Sequence, residues 1–89
     1  MTLIKKFYKV INNYIKRKPT PIDFFITCAF DHFDQQTQQF ITYKFTGGSY
    51  KLVPSIFFVS IETFYRKIRQ FLLFLTKLLK QFNYNLTNI

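Results

Sequence analysis

The feature that most limits what this chain can fold into lies in its C-terminal third. Phe57, Ile61, Phe64, Ile68, Phe71, Leu75, Leu78 and Phe82 recur at alternating steps of four and three. That spacing places eight large apolar side chains along one helix face, and Phe58, Tyr65, Leu72 and Leu79 widen the stripe. Glu62, Arg66, Arg69, Lys77 and Lys80 fall opposite. With Pro54 in its first turn, the pattern predicts one helix over 54–82. At 1.5 Å per residue it would be about 43 Å long, longer than a domain of this size is wide. The stripe is therefore expected to be a protein interface, buried in its own domain or on a neighbouring chain. An uninterrupted heptad pattern can also pair with itself, but this one is wide and Phe-rich for a two-stranded coil.

A second amphipathic helix is expected at the start. Leu3, Phe7, Val10 and Tyr14 alternate with Ile4, Tyr8, Ile11 and Ile15 to give a broad apolar stripe, with Lys5, Lys6, Lys9, Asn12 and Asn13 on the other face. The helix over 1–18 ends on Lys16-Arg17-Lys18, which suits the negative end of its dipole, and Pro19 and Pro21 forbid continuation. This segment resembles a mitochondrial presequence in being basic and acid-free. Lys dominates over Arg, however, and Ser is absent, so it is assigned to the folded domain.

Between the helices a small antiparallel sheet is expected over 22–53. Residues 22–33 read as a strand buried on both faces, with a short helix as the alternative, because short apolar runs are ambiguous. Asp34 through Gln39 reads as a polar loop. Residues 40–53 read as a β-hairpin turning at Gly47-Gly48. Ile41, Tyr43, Phe45, Tyr50 and Leu52 would share one face and Lys44 would sit opposite Lys51. The fold class is then α+β, one domain over 1–89 in the order α-β-β-β-α, with an uncharged tail at 83–89. That order resembles the topology of the double-stranded RNA-binding domain. The second helix, opening with Ile56-Phe57-Phe58, lacks that domain's Ala- and Lys-rich start, so the likeness stops at topology.

The charge constrains function more than the fold does. Thirteen basic residues face four acidic ones in 89, a net charge of +9. The imbalance is segregated: 1–18 and 44–80 are basic, and only 22–39 is acidic. The abundance of Phe, Ile, Lys, Asn and Tyr over Gly, Ala, Arg and Pro fits an A/T-rich genome. Codon bias explains part of the Phe and Lys, but it does not explain the scarcity of Asp and Glu. A field of this sign attracts nucleic acid or anionic membrane. With 48% hydrophobic residues and thirteen Phe, the chain also carries much apolar side chain for a domain that buries only about 60–65% of its unfolded surface.

Candidate phosphate contacts are Lys16, Arg17 and Lys18 at the first helix end, Lys44 and Lys51 on the hairpin, and Arg66, Lys67 and Arg69 on the long helix. Lys44 and Lys51 would repel across a hairpin unless an anion lay between them. The alternative is that they protect a sheet edge from aggregation. Tyr43 and Tyr50 could stack on unpaired bases, although aromatic residues at strand spacing more often belong to a core.

The one cluster with catalytic residue types is Cys28, Asp31, His32 and Asp34. No second His or Cys exists to complete a metal site, and the two Asp suit turn positions. No enzyme, metal or other cofactor is expected, and lone Cys28 excludes an internal disulfide. The longest charge-free stretch, Leu52 to Ile61, is ten residues, so no membrane span is expected.

Two functions follow as expectations. The first is a non-catalytic structural subunit of a ribonucleoprotein, a small ribosomal protein of a mitochondrion or other A/T-rich organelle, with RNA phosphates and neighbouring subunits as partners. The second is an accessory subunit of a mitochondrial inner-membrane respiratory complex, its amphipathic helices lying at the anionic membrane surface or on neighbouring subunits.

Overall fold

The computed structural model describes residues 3–84, and every regular element in that range is helical. The helices are α1 (Leu3–Ile15), α2 (Asp23–His32), α3 (Gln35–Phe45), α4 (Val53–Phe57) and α5 (Ile61–Gln81). One 3-10 turn, Tyr50–Leu52, leads into α4. Helix α5 packs against each of the other four, and α1 also packs against α2 and α3. The long axis of the molecule is 39 Å.

The α+β expectation and its α-β-β-β-α order are overturned, and with them the topological likeness to the double-stranded RNA-binding domain. Residues 22–33, expected as a strand, form α2 with its flanking caps, Ile22 at the N-terminus and Phe33 at the C-terminus. The turn before the helix is tied by Asp23, whose carboxylate accepts from both the backbone N–H and the hydroxyl of Thr20. Ile22, Ile26 and Ala29 are buried at helical spacing. The expected polar loop is the start of α3. Asp34 caps that helix by accepting from the Thr37 N–H at 2.9 Å, and Thr37, Phe40, Ile41 and Phe45 form its buried stripe.

Gly47-Gly48 makes no hairpin. Gly47 takes φ 92° as the left-handed residue just past α3. The N–H groups of Gly47 and Gly48 donate back to the carbonyls of Lys44 and Tyr43 at 3.2 and 2.9 Å, the Schellman helix stop. The glycine signal for positive φ was present, but a helix end uses it as readily as a hairpin does. Helices α1 and α5 stop the same way on non-glycine residues, Arg17 (φ 61°) and Asn83 (φ 58°).

The single helix expected over 54–82 is interrupted. Phe58 is left-handed, at φ 57° and ψ 35°. Ser60 then caps α5, its hydroxyl accepting from the Thr63 N–H at 3.1 Å. Helix α5 is therefore 21 residues long, about 32 Å, which fits within the molecule. Asn83 and Tyr84 of the expected tail form the α5 stop, and 85–89 lie outside the described residues.

The core is one cluster. Phe7 and Ile11 of α1, Ile26 of α2, Phe40 and Phe45 of α3, and Phe64, Ile68, Phe71, Leu72 and Leu75 of α5 are fully buried in it. Side chains of this size contribute on the order of 1.5–3 kcal/mol each when covered. Much of the stripe expected to cover a partner is thus spent on the chain's own α1, α2 and α3. Edge-to-face ring pairs reinforce it, with Phe30–Phe71 at 5.1 Å and Phe40–Phe57 at 5.0 Å.

Candidate functional site

Helix α1 carries Lys5, Lys6 and Lys9, and Lys16, Arg17 and Lys18 follow directly, so the first 18 residues hold six cations and no acid. Its buried face is Phe7, Val10 and Ile11, and the Asn12 amide nitrogen donates to the Phe45 carbonyl of α3 at 2.6 Å. Anchored this way, the helix turns Lys9 outward and ends in an exposed Lys16-Arg17-Lys18. The backward bonds to Tyr14 and Asn13 fix the backbone of Arg17 and Lys18. Pro19 then directs the chain across to α2.

Two clefts flank Pro19. The larger, about 580 Å³, is lined by Tyr14, Ile15, Arg17, Lys18, Asp23, Thr27, Phe30 and Thr42 together with Pro19. The smaller, about 280 Å³, is lined by Lys6, Lys9, Val10, Asn13 and Pro19 to Ile22. Four cations therefore line adjoining clefts, and Asp23 is the one acid among the lining residues. Its carboxylate is already engaged by Thr20.

The other expected phosphate contacts are dispersed. Lys44 is half-buried, with Nζ 5.5 Å from the centre of the Tyr65 ring and 3.5 Å from its hydroxyl. Arg69 shares a small cleft with the same Tyr65 and with Leu3, Ile4 and Leu72. Lys51 is exposed on the 3-10 turn and has no cross-strand relation to Lys44. Arg66 is exposed, whereas Lys67 is 24% exposed and bonded to Gln36 and Asp34, the latter at 3.8 Å.

Of the expected protein interface, Phe64, Ile68, Phe71 and Leu75 are fully buried within this chain. Phe57, Ile61 and Leu78 are half-buried, and Phe82 is 59% exposed. The exposed large apolar side chains include Phe24 and Phe58, although the strand expectation buries the first and the stripe pattern includes the second.

Cys28 is half-buried, Asp31 and His32 are exposed, and Asp34 serves as the α3 cap. The His32 ring lies flat on Phe74, with centroids 4.1 Å apart. Among the described residues no three His, Cys, Asp or Glu side chains are grouped to hold a metal ion. No helix among them is long and apolar enough to cross a membrane.

Sequence reasoning did not include Lys6 and Lys9 in the site. They read as the solvated face of α1, and only the fold of 19–22 against that face makes them line a cleft. Comparisons with protein-family models, curated proteins and solved structures returned no match.

Proposed function

We propose that this protein is a non-catalytic, RNA-binding structural subunit of a ribonucleoprotein, of the kind found in the ribosome of a mitochondrion or another A/T-rich organelle. The observation that carries the reading is the basic surface where α1 meets α2, with Lys6, Lys9, Arg17 and Lys18 lining adjoining clefts and Lys16 exposed beside them. Cations arranged on an acid-poor helix neutralise phosphates and release counterions, giving binding that weakens steeply with salt. Lys44, Arg66 and Arg69 supply further cations on α3 and α5, apart from that surface.

The test is binding of a labelled RNA to the full chain across a salt series. Affinity should fall as salt rises, and neutralising Lys16, Arg17 and Lys18 together with Gln should make the slope of log affinity against log salt shallower by about 2. Binding that ignores salt, or no binding at low salt, overturns the reading.

A second reading, an accessory subunit of a respiratory membrane complex, is favoured by one observation. Phe58 is 88% exposed, with Leu52 and Ile56 also exposed on the same short segment, an apolar patch suited to a hydrophobic neighbour. Sedimentation with anionic but not neutral liposomes, in place of RNA binding, would favour it.

A further inference from the structure

The larger cleft holds more than a backbone contact needs. Tyr14 and Phe30, both half-buried, stack on each other with centroids 5.7 Å apart and an interplanar angle of 17°. The Tyr14 hydroxyl shares a 2.7 Å hydrogen bond with the Thr27 hydroxyl, which ties the ring to α2. Arg17 and Lys18 line the same cleft. Stacked rings beside paired cations are the two elements of a single-strand site: a ring accepts the face of any base, and the cations take its phosphate. A duplex offers the cations its phosphates but keeps its base faces inside the stack. The cleft volume of about 580 Å³ falls within the range of small-molecule sites.

We propose that this cleft takes one unpaired nucleotide of a single-stranded RNA, its base against the Tyr14–Phe30 pair and its phosphate on Arg17 and Lys18. The inference rests on the RNA-binding reading above and narrows it from phosphate backbone in general to an unpaired segment.

The experiment titrates the full chain with a labelled oligouridine and with an RNA duplex of equal length at one salt concentration. Three variants accompany the natural chain: Tyr14→Leu, Tyr14→Phe and the double variant Arg17→Gln/Lys18→Gln. The single strand should bind about tenfold more tightly than the duplex, and Tyr14→Leu should lose about tenfold for the single strand alone. Tyr14→Phe keeps the ring and should keep the preference, while the double variant should weaken both RNAs. In the natural chain, ring-proton resonances of Tyr14 and Phe30 should shift upfield on adding oligouridine, a readout that does not depend on any variant folding. Equal affinity for the two RNAs, or Tyr14 and Phe30 resonances that do not move, overturns the inference and leaves the phosphate reading standing. Failure of both RNAs to bind overturns the RNA reading itself.

Discussion

Gly48 lies so close beneath the Tyr43 ring that a β-carbon on it would fall 2.4 Å from the ring's Cε2. The ring is not free to swing away. Its hydroxyl donates to the Ser49 carbonyl at 2.8 Å, and its edge packs on Phe57 with centroids 5.3 Å apart. The stop of α3 thereby locks the turn that leads to α4. Gly48→Ala should cost roughly 1–3 kcal/mol, the usual range for forcing an extra carbon into packed surroundings. Gly47 has open space around it but a φ of 92°, so Gly47→Ala should cost about 1 kcal/mol through backbone strain alone. Urea unfolding of the two variants checks the order. Equal costs would mean that the Tyr43 ring yields.

Phe58 predicts the opposite sign. It holds a left-handed backbone conformation while 88% exposed, so it carries the strain of a side chain there and gains little burial in return. An L-residue in this region costs roughly 1–2 kcal/mol. Phe58→Gly should therefore raise stability, by about 1 kcal/mol after the added freedom of the unfolded chain is counted. That corresponds to several degrees in melting temperature for a domain of this size. Phe58→Ala keeps the strain and should not stabilise. A loss of stability in Phe58→Gly, read by thermal unfolding, would mean that the ring is covered in solution.

These two positions also show where sequence stops specifying this fold. Helix α1 is legible because its stripe and its terminating prolines agree. The stripe of α5 is legible for the same reason, but its interruption is not: Phe58-Val59-Ser60 continues the apolar spacing, and only the Ser60 cap hints at a new start. In residues 40–45 two periods coexist. Ile41, Tyr43 and Phe45 alternate as in a strand, while Thr37, Phe40, Ile41 and Phe45 follow a helix. Gly47-Gly48 does not separate the two, since it supplies positive φ to a hairpin turn or to a helix stop. What decides for a helix is the cap at Asp34 and the burial that α3 gains against Phe64, a contact between residues more than twenty apart. The basic clefts follow the same logic. Arg17 and Lys18 could be picked from sequence, but their union with Lys6, Lys9 and the Tyr14–Phe30 pair depends on how 19–22 crosses α1.

Asp34 sets a pH dependence. Its carboxyl titrates below its ordinary value of 3.8, chiefly because the Thr37 side chain and backbone hydrogen-bond to the charged form, with the nearby Lys67 ammonium adding to the effect. A lowered folded-state pKa means that the folded state holds its proton less tightly than the unfolded chain does. The stabilisation is therefore complete well above 3.8 and is lost as pH falls through the lowered folded-state value. The urea midpoint of the natural chain should decline with acidification below about pH 4. Asp34→Asn retains an oxygen that caps and should flatten this decline, while Asp34→Ala should lose the cap and lower the midpoint at neutral pH as well. An unchanged acid limb in Asp34→Asn would place the titration on another carboxylate.

The same ion pair separates cations that adjacency in sequence had grouped. Arg66, Lys67 and Arg69 lie within one turn of α5, but a helix turns each residue about 100° from the last. Arg66 and Arg69 consequently share an exposed side, and Lys67 points toward α3, where Asp34 and Gln36 hold its ammonium. A cation already held by a carboxylate releases few counterions when RNA arrives, so it should add little to affinity. The double variant Arg66→Gln/Arg69→Gln should weaken RNA binding several-fold and make the salt slope shallower by roughly 1.5, as expected for two lost phosphate contacts. Lys67→Gln should leave RNA affinity within about twofold and instead reduce the resistance of the fold to urea, since it removes the α3–α5 tie. Salt-series binding and urea unfolding on the same three proteins decide it. Should Lys67→Gln flatten the salt slope as much as losing one arginine does, the ammonium leaves Asp34 for a phosphate in the complex, and RNA binding should then loosen the α3 cap.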